Sequence, residues 1–512
     1  VGAVDPPASG TVGSYSSQGP TNDGRVKPDV VAASGADSVT FGATFSGTSA
    51  SAPVVAGGAA LLLQAGLAAD ARSLGDLVRH AVIDRGPAGR DNAYGTGEFV
   101  LPTPPTDVAD PAPSRYVPLD TPTRVLDTRP SSAIGPSALI GDPWPGRIVD
   151  LPVEAIPGVG EGGTDPGAVT AVAANVTVVD VDRPGFTQAH PTARAMLGAF
   201  SNSNVDTAGQ TRPNLMIVPV GTGERFSVYN TAGGHLLVDV LGTFTATGGA
   251  VTGGRFVDLP AAQRVLDTRT GGQPVGSGGI TSFGVPDTVE RADIAALVVN
   301  VTATQTAGQG FVQAFPAGRD DEIGRTSTLN LTDGATVANT VIVPVGDGDG
   351  DGAVSLFAEL GPGGAAHLIA DVTGYITSDA APSSTAGRFV PVRPGRAFDS
   401  RALGGPLPSG DTADVRATDV SGVDLPASTS AIVWNFTATA TTRPGFLAGW
   451  PADGPEPATS ALNWTLPDTT VANGGIVAAS DGGVMRIRVD GGPLVAGVPL
   501  THAVIDVFGY FT

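Results

Sequence analysis

Apolar and polar positions along this chain follow two different periods, and the change falls near residue 101. Before it, short apolar strands alternate with loops and give way to two stretches of helical period. The first predicts a helix from about Thr48 through Gln64, with Pro53 tolerated because it falls in the opening turn, where no N–H is needed. The second predicts a helix starting at Ser73, with Ser73 and Asp76 as an acidic form of capping box, and running past Leu77 and Val78. The opening Val1-Gly-Ala-Val4 reads as the middle of a buried strand. Residues 1–101 therefore read as part of an α/β domain. Residues 102–114, dominated by Pro, Thr, Asp and Ala, read as a stiff, extended linker.

After the linker the period is two, and the sequence repeats itself in three copies, expected at 115–247, 248–379 and 380–512, with a spacing of roughly 130 residues. The copies open alike, with Arg124-Val-Leu-Asp-Thr-Arg129, Arg264-Val-Leu-Asp-Thr-Arg269 and Arg396-Ala-Phe-Asp-Ser-Arg401. They close alike, on His235-Leu-Leu-Val-Asp-Val-Leu-Gly242, His367-Leu-Ile-Ala-Asp-Val-Thr-Gly374 and His502-Ala-Val-Ile-Asp-Val-Phe-Gly509. Many short strands between Gly and Asp turns predict an all-β sandwich or barrel for each copy, two solutions that alternation alone does not separate. The copies resemble tandem modules of secreted actinobacterial proteins, a resemblance that says little about their role.

Composition narrows the function classes. Lys+Arg 28 against Asp+Glu 49 gives a formal net charge of -21, which repels nucleic acid and anionic membranes, and no local basic patch offsets it. No apolar run reaches membrane-spanning length. With Cys 0, disulfides, thiolate metal sites and thiol catalysis are all excluded, so any nucleophile has to be an oxygen.

The stretch Thr44-Phe-Ser-Gly-Thr-Ser-Ala-Ser-Ala-Pro-Val-Val-Ala-Gly57 places such an oxygen. Ser49 stands where a glycine turn meets a helix N-terminus, and the free amides and positive dipole end of that helix favour negative charge beside it. Gly47 permits the close turn, Thr48 precedes the serine, and Pro53 sits where the helix lacks a donor requirement. The plain alternative for Ser49 alone is an N-capping serine. Ser46 and Ser51 read as a turn residue and a polar position in the first helical turn.

Gly47-Thr-Ser-Ala-Ser-Ala-Pro53 resembles the catalytic-serine signature of the subtilisin-like peptidases. Two further blocks support the resemblance in the expected order: Tyr15-Ser-Ser-Gln-Gly-Pro20 with Gly24-Arg-Val-Lys-Pro-Asp-Val-Val-Ala32, and Gly95-Thr-Gly97. Sedolisins share a Ser-Gly-Thr-Ser sequence, but the Lys27-Pro-Asp-Val-Val31 block favours the subtilases. The resemblance implies a secreted serine endopeptidase acting on protein or peptide substrates through an acyl-enzyme at Ser49, with a histidine moving the proton and an aspartate orienting it. The sequence departs from the family in one serious respect. The family's Asp, His and oxyanion-hole Asn lie upstream of what is present, so an N-terminally truncated, inactive fragment of an active parent is expected, with an exposed sheet edge near Val1. The competing class is a non-catalytic extracellular binding or structural repeat protein carrying a degenerate peptidase remnant.

The remaining candidates are weaker. Of the histidines, His80 falls on the second helix as a structural residue, His190 has no catalytic context, and His235, His367 and His502 occupy equivalent strand positions. Gly346-Asp-Gly-Asp-Gly-Asp-Gly352 has the alternating oxygens of a calcium loop, yet the twelfth position from Asp347 is Ala358, so an elongated solvated turn is the simpler reading. Calcium is thus the one ion with any motif behind it, and no metal ligand or cofactor is assigned. Asp239, Asp371 and Asp506 read as structural hydrogen-bonding residues. Asn-x-Thr at Asn175, Asn300, Asn330, Asn435 and Asn463 read as strand polar positions. Trp434, Trp450 and Trp464 read as core, with sugar stacking as the less favoured option. The repeats are expected to target or space the catalytic domain, with cell-wall polysaccharide as a candidate ligand.

Overall fold

The computed structural model describes residues 1–5, 10–40, 42–102, 112–135, 140–141, 144–346, 352–417, 425–480, 482–491 and 500–512. Up to residue 102 the elements are β1 (Gly2–Val4), β2 (Val31–Ala33), a hairpin of β3 (Ala36–Ser38) and β4 (Ala43–Phe45), α1 (Thr48–Gln64), α2 (Ala71–His80), β5 (Val82–Ile83) and β6 (Glu98–Phe99). One small sheet runs β1-β2-β6-β5, parallel across its first three strands. Val55 and Leu62 of α1 pack with Val30, Ala32 and Phe99 in its core. Gly58 is required there, because a Cβ would sit 2.4 Å from the Phe99 ring. Helix α1 is apolar almost all round, and the side away from this core leaves Val54, Leu61 and Leu63 exposed.

The expectation of an open edge at β1 meets a local cap. Gly13 N donates to Ala3 O at 2.8 Å, and Ala3 N donates to Ser16 Oγ at 3.1 Å, so the segment around residues 11–16 lies along that edge. The second helix starts earlier than its pattern suggests. Asp70 is the N-cap and accepts from Ser73 N at 2.7 Å, while Ser73 Oγ accepts from Asp70 N at 3.1 Å, a capping box that starts the helix at Ala71, two residues before Ser73. Asp76, freed from capping, points elsewhere.

The first repeat contains β7 (Ser114–Asp127), β8 (Arg147–Pro152), β9 (Val169–Val179), β10 (Gly185–Pro191), β11 (Ser203–Val205), β12 (Arg212–Pro219), β13 (Arg225–Asn230) and β14 (His235–Ala246). They form two antiparallel sheets, β12-β9-β14-β7 and β11-β10-β13-β8, the first of which continues through a single Ser114–Phe389 pairing into the sheet of the third repeat. Val149, Leu151, Phe226 and Val228 from one sheet meet Val172, Val176, Met216 and Val238 from the other. Eight strands in this order make a jelly-roll sandwich, which decides between the two expected solutions. The second repeat has the same order, Phe256–Asp267, Ala365–Thr377, Ile294–Ala307 and Val337–Pro344 over Gly279–Gly284, Ala353–Glu359, Gly310–Pro316 and Leu329–Leu331. The third repeats it with Phe389–Asp399, Leu500–Phe511, Ala431–Thr439 and Val471–Ala478 over Thr412–Arg416, Val484–Asp490, Gly445–Pro451 and Leu462–Trp464.

The inner sheets of the three sandwiches face one another. On β9, Val172, Val176 and Val178 point into the sandwich, whereas Ala171 and Ala173 join a central cluster with Ala296 and Val298 of the second repeat and Ala431 and Val433 of the third. These strands read as nearly unbroken apolar runs because both of their faces are buried. Polar groups close the ring in a fixed sense. Asn339 Nδ2 donates to Asn175 Oδ1 at 3.1 Å, Asn473 Nδ2 to Asn300 Oδ1 at 3.1 Å, and Asn214 Nδ2 to Asn435 Oδ1 at 3.2 Å. Each repeat thus touches the next, and the third returns to the first. At one end Phe244 and Phe389 meet at a tilt with centroids 4.5 Å apart, and Phe256 and Phe511 likewise at 4.8 Å. Backbone links follow the same cycle, with Tyr116 N donating to Gly254 O at 2.7 Å and Phe256 N to Gly387 O at 2.8 Å.

Helix α2 rests on the outer sheet of the first repeat. The Tyr229 hydroxyl donates to Asp76 Oδ2 at 2.7 Å and Arg72 donates to Thr231 O at 3.1 Å. Leu197 N donates to Leu67 O at 3.1 Å and Ala69 N to Leu197 O at 2.8 Å, a short stretch of strand pairing between the two parts of the chain.

Candidate active site

Ser49 is the second residue of α1 and is exposed, and its hydroxyl has no hydrogen-bond partner among the described residues. Gly47 takes the N-cap position at φ 103, a backbone region that costs glycine little and other residues more, and no side chain caps the helix. Ala50 N turns back to Gly47 O at 2.9 Å, while the Thr48 and Ser49 amides have no partner among the described residues and stay open beside the serine hydroxyl. Thr48 is half-buried and Pro53 is exposed in the opening turn. Ser51, in contrast, is fully buried and donates to Ala32 O at 3.0 Å, which ties α1 to β2.

The corner has its own support. Gly47 N donates to Ser34 Oγ at 2.8 Å, and the Tyr15 hydroxyl lies 2.9 Å from both Ser34 Oγ and Asp5 Oδ2. The other two sequence blocks meet in space. Thr96 N donates to Asp29 O at 2.9 Å, and a Cβ on Gly95 would fall 2.2 Å from that same carbonyl oxygen. The glycine is what lets the Gly95-Thr-Gly97 turn approach the Lys27-Pro-Asp29 backbone.

No histidine pairs with Ser49 among the described residues. His80 Nε2 lies 3.0 Å from Asp150 Oδ2 in the first repeat, and His190 is buried with Nδ1 3.1 Å from Pro191 O. His235, His367 and His502 each place Nδ1 against a hydroxyl, of Thr128 at 3.3 Å, Thr268 at 3.0 Å and Ser400 at 2.9 Å.

The recurrent Arg and Asp positions form a charge ladder between the first and last strands of each repeat. Arg124 spans both oxygens of Asp239 at 2.8 and 2.9 Å and reaches Asp127, which in turn is held by Arg129 at 3.0 and 2.7 Å. Arg264, Asp371, Asp267 and Arg269 repeat it, as do Arg396, Asp506, Asp399 and Arg401. Burial raises the closing carboxyls of Asp239 and Asp371 despite these guanidinium groups, and holds Asp506 up at about 6. Asp267 goes the other way, its hydrogen bond to Arg269 bringing it down to about 2. Every member is occupied by another, as in a structural girdle.

Asn175, Asn300 and Asn435 are buried between repeats, where no glycan fits. Trp434, Trp450 and Trp464 are buried as well, 1%, 5% and 3% exposed, which leaves no open face for a sugar. Asp347 and Asp349 of the calcium-like loop, with Asp351, lie outside the described residues. Among the described residues no cluster of three or more His, Asp or Glu is placed to hold a metal ion, and no helix is long and apolar enough to cross a membrane.

Comparison with known proteins bears on the N-terminal part. The model of the Subtilase family matches residues 1–97, so this segment is a subtilase-like domain. No curated protein matches the chain. Among solved structures, a chain from an archaeal virus described by its triple jelly roll fold and turret assembly aligns with 78% of this chain and 91% of its own at 10% identity, with a TM-score of 0.14. A chain from the lipid-containing bacteriophage PM2 aligns with 71% of this chain and 100% of its own at 9% identity, with a TM-score of 0.12. Scores this low carry no argument about fold or role.

Proposed function

We propose that the chain belongs to a secreted serine endopeptidase whose Ser49 attacks the scissile carbonyl of a protein substrate and carries the acyl group. The observation behind this reading is the Ser49 corner itself: an exposed hydroxyl, free of any partner among the described residues, at the amide-rich start of α1 within a segment that matches the Subtilase family. Tetrahedral oxyanions are stabilised by such amides, and a glycine N-cap keeps the approach open. Motif-supporting roles go to Gly47 for the turn, and to Thr48 and Pro53 for the helix start.

Ser49 needs a base, and the histidines of this sequence are engaged elsewhere. The proton acceptor, its aspartate and the remaining oxyanion donor therefore belong to residues beyond this sequence, and the chain by itself is inactive, since a nucleophile without its base retains little of the triad's effect. The repeats act as accessory modules that space or target the catalytic domain, with cell-wall polysaccharide as the candidate ligand.

A second reading, a non-catalytic repeat protein with a peptidase remnant, draws support from the closed ring of sandwiches, which completes its core without the N-terminal segment. Fluorophosphonate labelling separates the two. The protein extended upstream by its own gene should be labelled at Ser49 and lose the label in Ser49→Ala, while the present chain stays unlabelled. An extended protein that carries no label at Ser49 would remove the peptidase reading in favour of the second.

A further inference from the structure

Between α2 and the outer sheet of the first repeat lies a cavity of about 240 Å3. Its wall is mostly apolar, with Leu67, Leu77, Val82, Ile148 and Leu197 among the contributors. On one side stands a polar row laid out by strand register, in which Asp150 faces Ser227 and Ser227 faces His190. Within that row nearly every polar atom is taken. Asp150 accepts from Ser227 Oγ at 2.6 Å through Oδ1 and meets His80 Nε2 at 3.0 Å through Oδ2, and Ser227 Oγ lies 2.6 Å from Thr192 Oγ1.

His190 is the exception. It lines the cavity, is 4% exposed, and its Nε2 has no partner among the described residues. Its Nδ1 faces the Pro191 carbonyl at 3.1 Å, and a carbonyl only accepts, so Nδ1 carries the hydrogen and Nε2 presents a bare lone pair. Burial pushes this imidazole down to about 4, so it is neutral at physiological pH. A buried acceptor left unpaired is costly, so Nε2 gains from any donor that reaches it.

We propose that this cavity binds a small neutral molecule with one ring, or an apolar body of similar size, and a single hydroxyl or N–H that it donates to His190 Nε2. Size agrees, since apolar cavities of about 150 Å3 already accommodate benzene. The occupant touches both the subtilase-like domain and the first repeat and bridges them. The inference does not rest on the peptidase reading, because Ser49 contributes nothing to the cavity wall.

The second repeat supplies a control. Phe315 occupies the position of His190, facing Ser355 where His190 faces Ser227, so phenylalanine is compatible with this strand. Saturation-transfer NMR on the full chain with phenol and with toluene as probes should give binding of both. The phenol-to-toluene affinity ratio should fall about three- to tenfold in His190→Phe, the worth of one neutral hydrogen bond. Ala195→Leu, which fills the cavity, should weaken both probes. A ratio unchanged in His190→Phe, no binding of either probe to the wild type, or full binding to a folded Ala195→Leu chain would each overturn the assignment.

Discussion

Replacing Asn339 by alanine removes one link of the polar ring that joins the repeats. Asn339 is 1% exposed, its Nδ2 donates to Asn175 Oδ1 at 3.1 Å and to Thr328 O at 2.8 Å, and its Oδ1 accepts from Leu215 N at 3.0 Å. The last of these matters most. Leu215 lies on β12, the outermost strand of its sheet, and its amide points away from the ladder, so the neighbouring repeat's side chain protects an edge that would otherwise be open. Alanine strands that amide, the Asn175 oxygen and the Thr328 carbonyl in a buried place. Each unsatisfied buried group costs about 1–3 kcal/mol. A cavity of about 20 Å3 lined by Asn175, Thr328 and Asn339 has room for one water, which offsets part of the loss. The net expectation is about 2–3 kcal/mol, or about 30- to 150-fold in an opening equilibrium. A melting temperature is a poor assay in a chain of several units, so amide hydrogen exchange at Leu215 is the measurement of choice. Exchange should accelerate by that factor and spread to β9 and to Val337–Pro344, because the link belongs to both repeats. Leu215 protection unchanged within threefold would refute the reasoning.

Three further outcomes follow from the same contacts. Tyr229→Phe deletes a buried hydrogen bond to a carboxylate, worth about 1.5–3 kcal/mol, and should raise proteolysis of α2 without altering exchange in the sandwich core. Burial favours a raised Asp150 carboxyl, but His80 and Ser227 outweigh it and hold the group down at about 2. A depressed carboxyl stabilises the folded junction above its unfolded value of about 3.9 and loses that contribution as pH falls through about 2, so α2 should loosen across this window and Asp150→Asn should flatten the profile, read by proteolysis against pH. Expression through a eukaryotic secretory route should leave Asn175, Asn300 and Asn435 free of glycan by intact-peptide mass spectrometry, since all three are enclosed between repeats.

Much of the local structure was legible because it follows from covalent constraints. Pro53 and the Gly47 turn locate the start of α1, which spans Thr48–Gln64 as its period suggests. The start of α2 lies earlier than its pattern indicates because Ser73 serves equally well as an N-cap or as the third residue of a box begun by Asp70; both place a hydroxyl by a free amide, and periodicity is blind to the difference. Alternation of period two likewise fits sandwich and barrel, so strand order had to come from the structure. The ring of repeats was missed for a subtler reason. Asn175, Asn300 and Asn435 look like ordinary polar strand positions, and the available signal was that Val169–Val179 and Ile294–Ala307 carry no charged residue on either face, the mark of strands buried on both sides.

The outer sheets tell the complementary story, because there the three copies share a register but not a chemistry. The row Asp150, Ser227, His190 of the first repeat becomes Ser282, Ser355, Phe315 in the second and Asp414, Arg486, Trp450 in the third. In the third, Arg486 spans Asp414 at 2.6 and 3.0 Å, so the row satisfies itself. In the second, Ser282 and Ser355 pair at 2.8 Å beside a buried ring. Among the described residues, only in the first does the row turn to a group outside its own sandwich, His80 of α2, while Tyr229 two residues along its strand reaches Asp76. Inner faces are constrained by closure of the ring and stay alike, whereas an outer face is free to be fitted to whatever lies on it. The first repeat is fitted to the subtilase-like domain, so exchanging it for the second or third would preserve the ring and lose the junction.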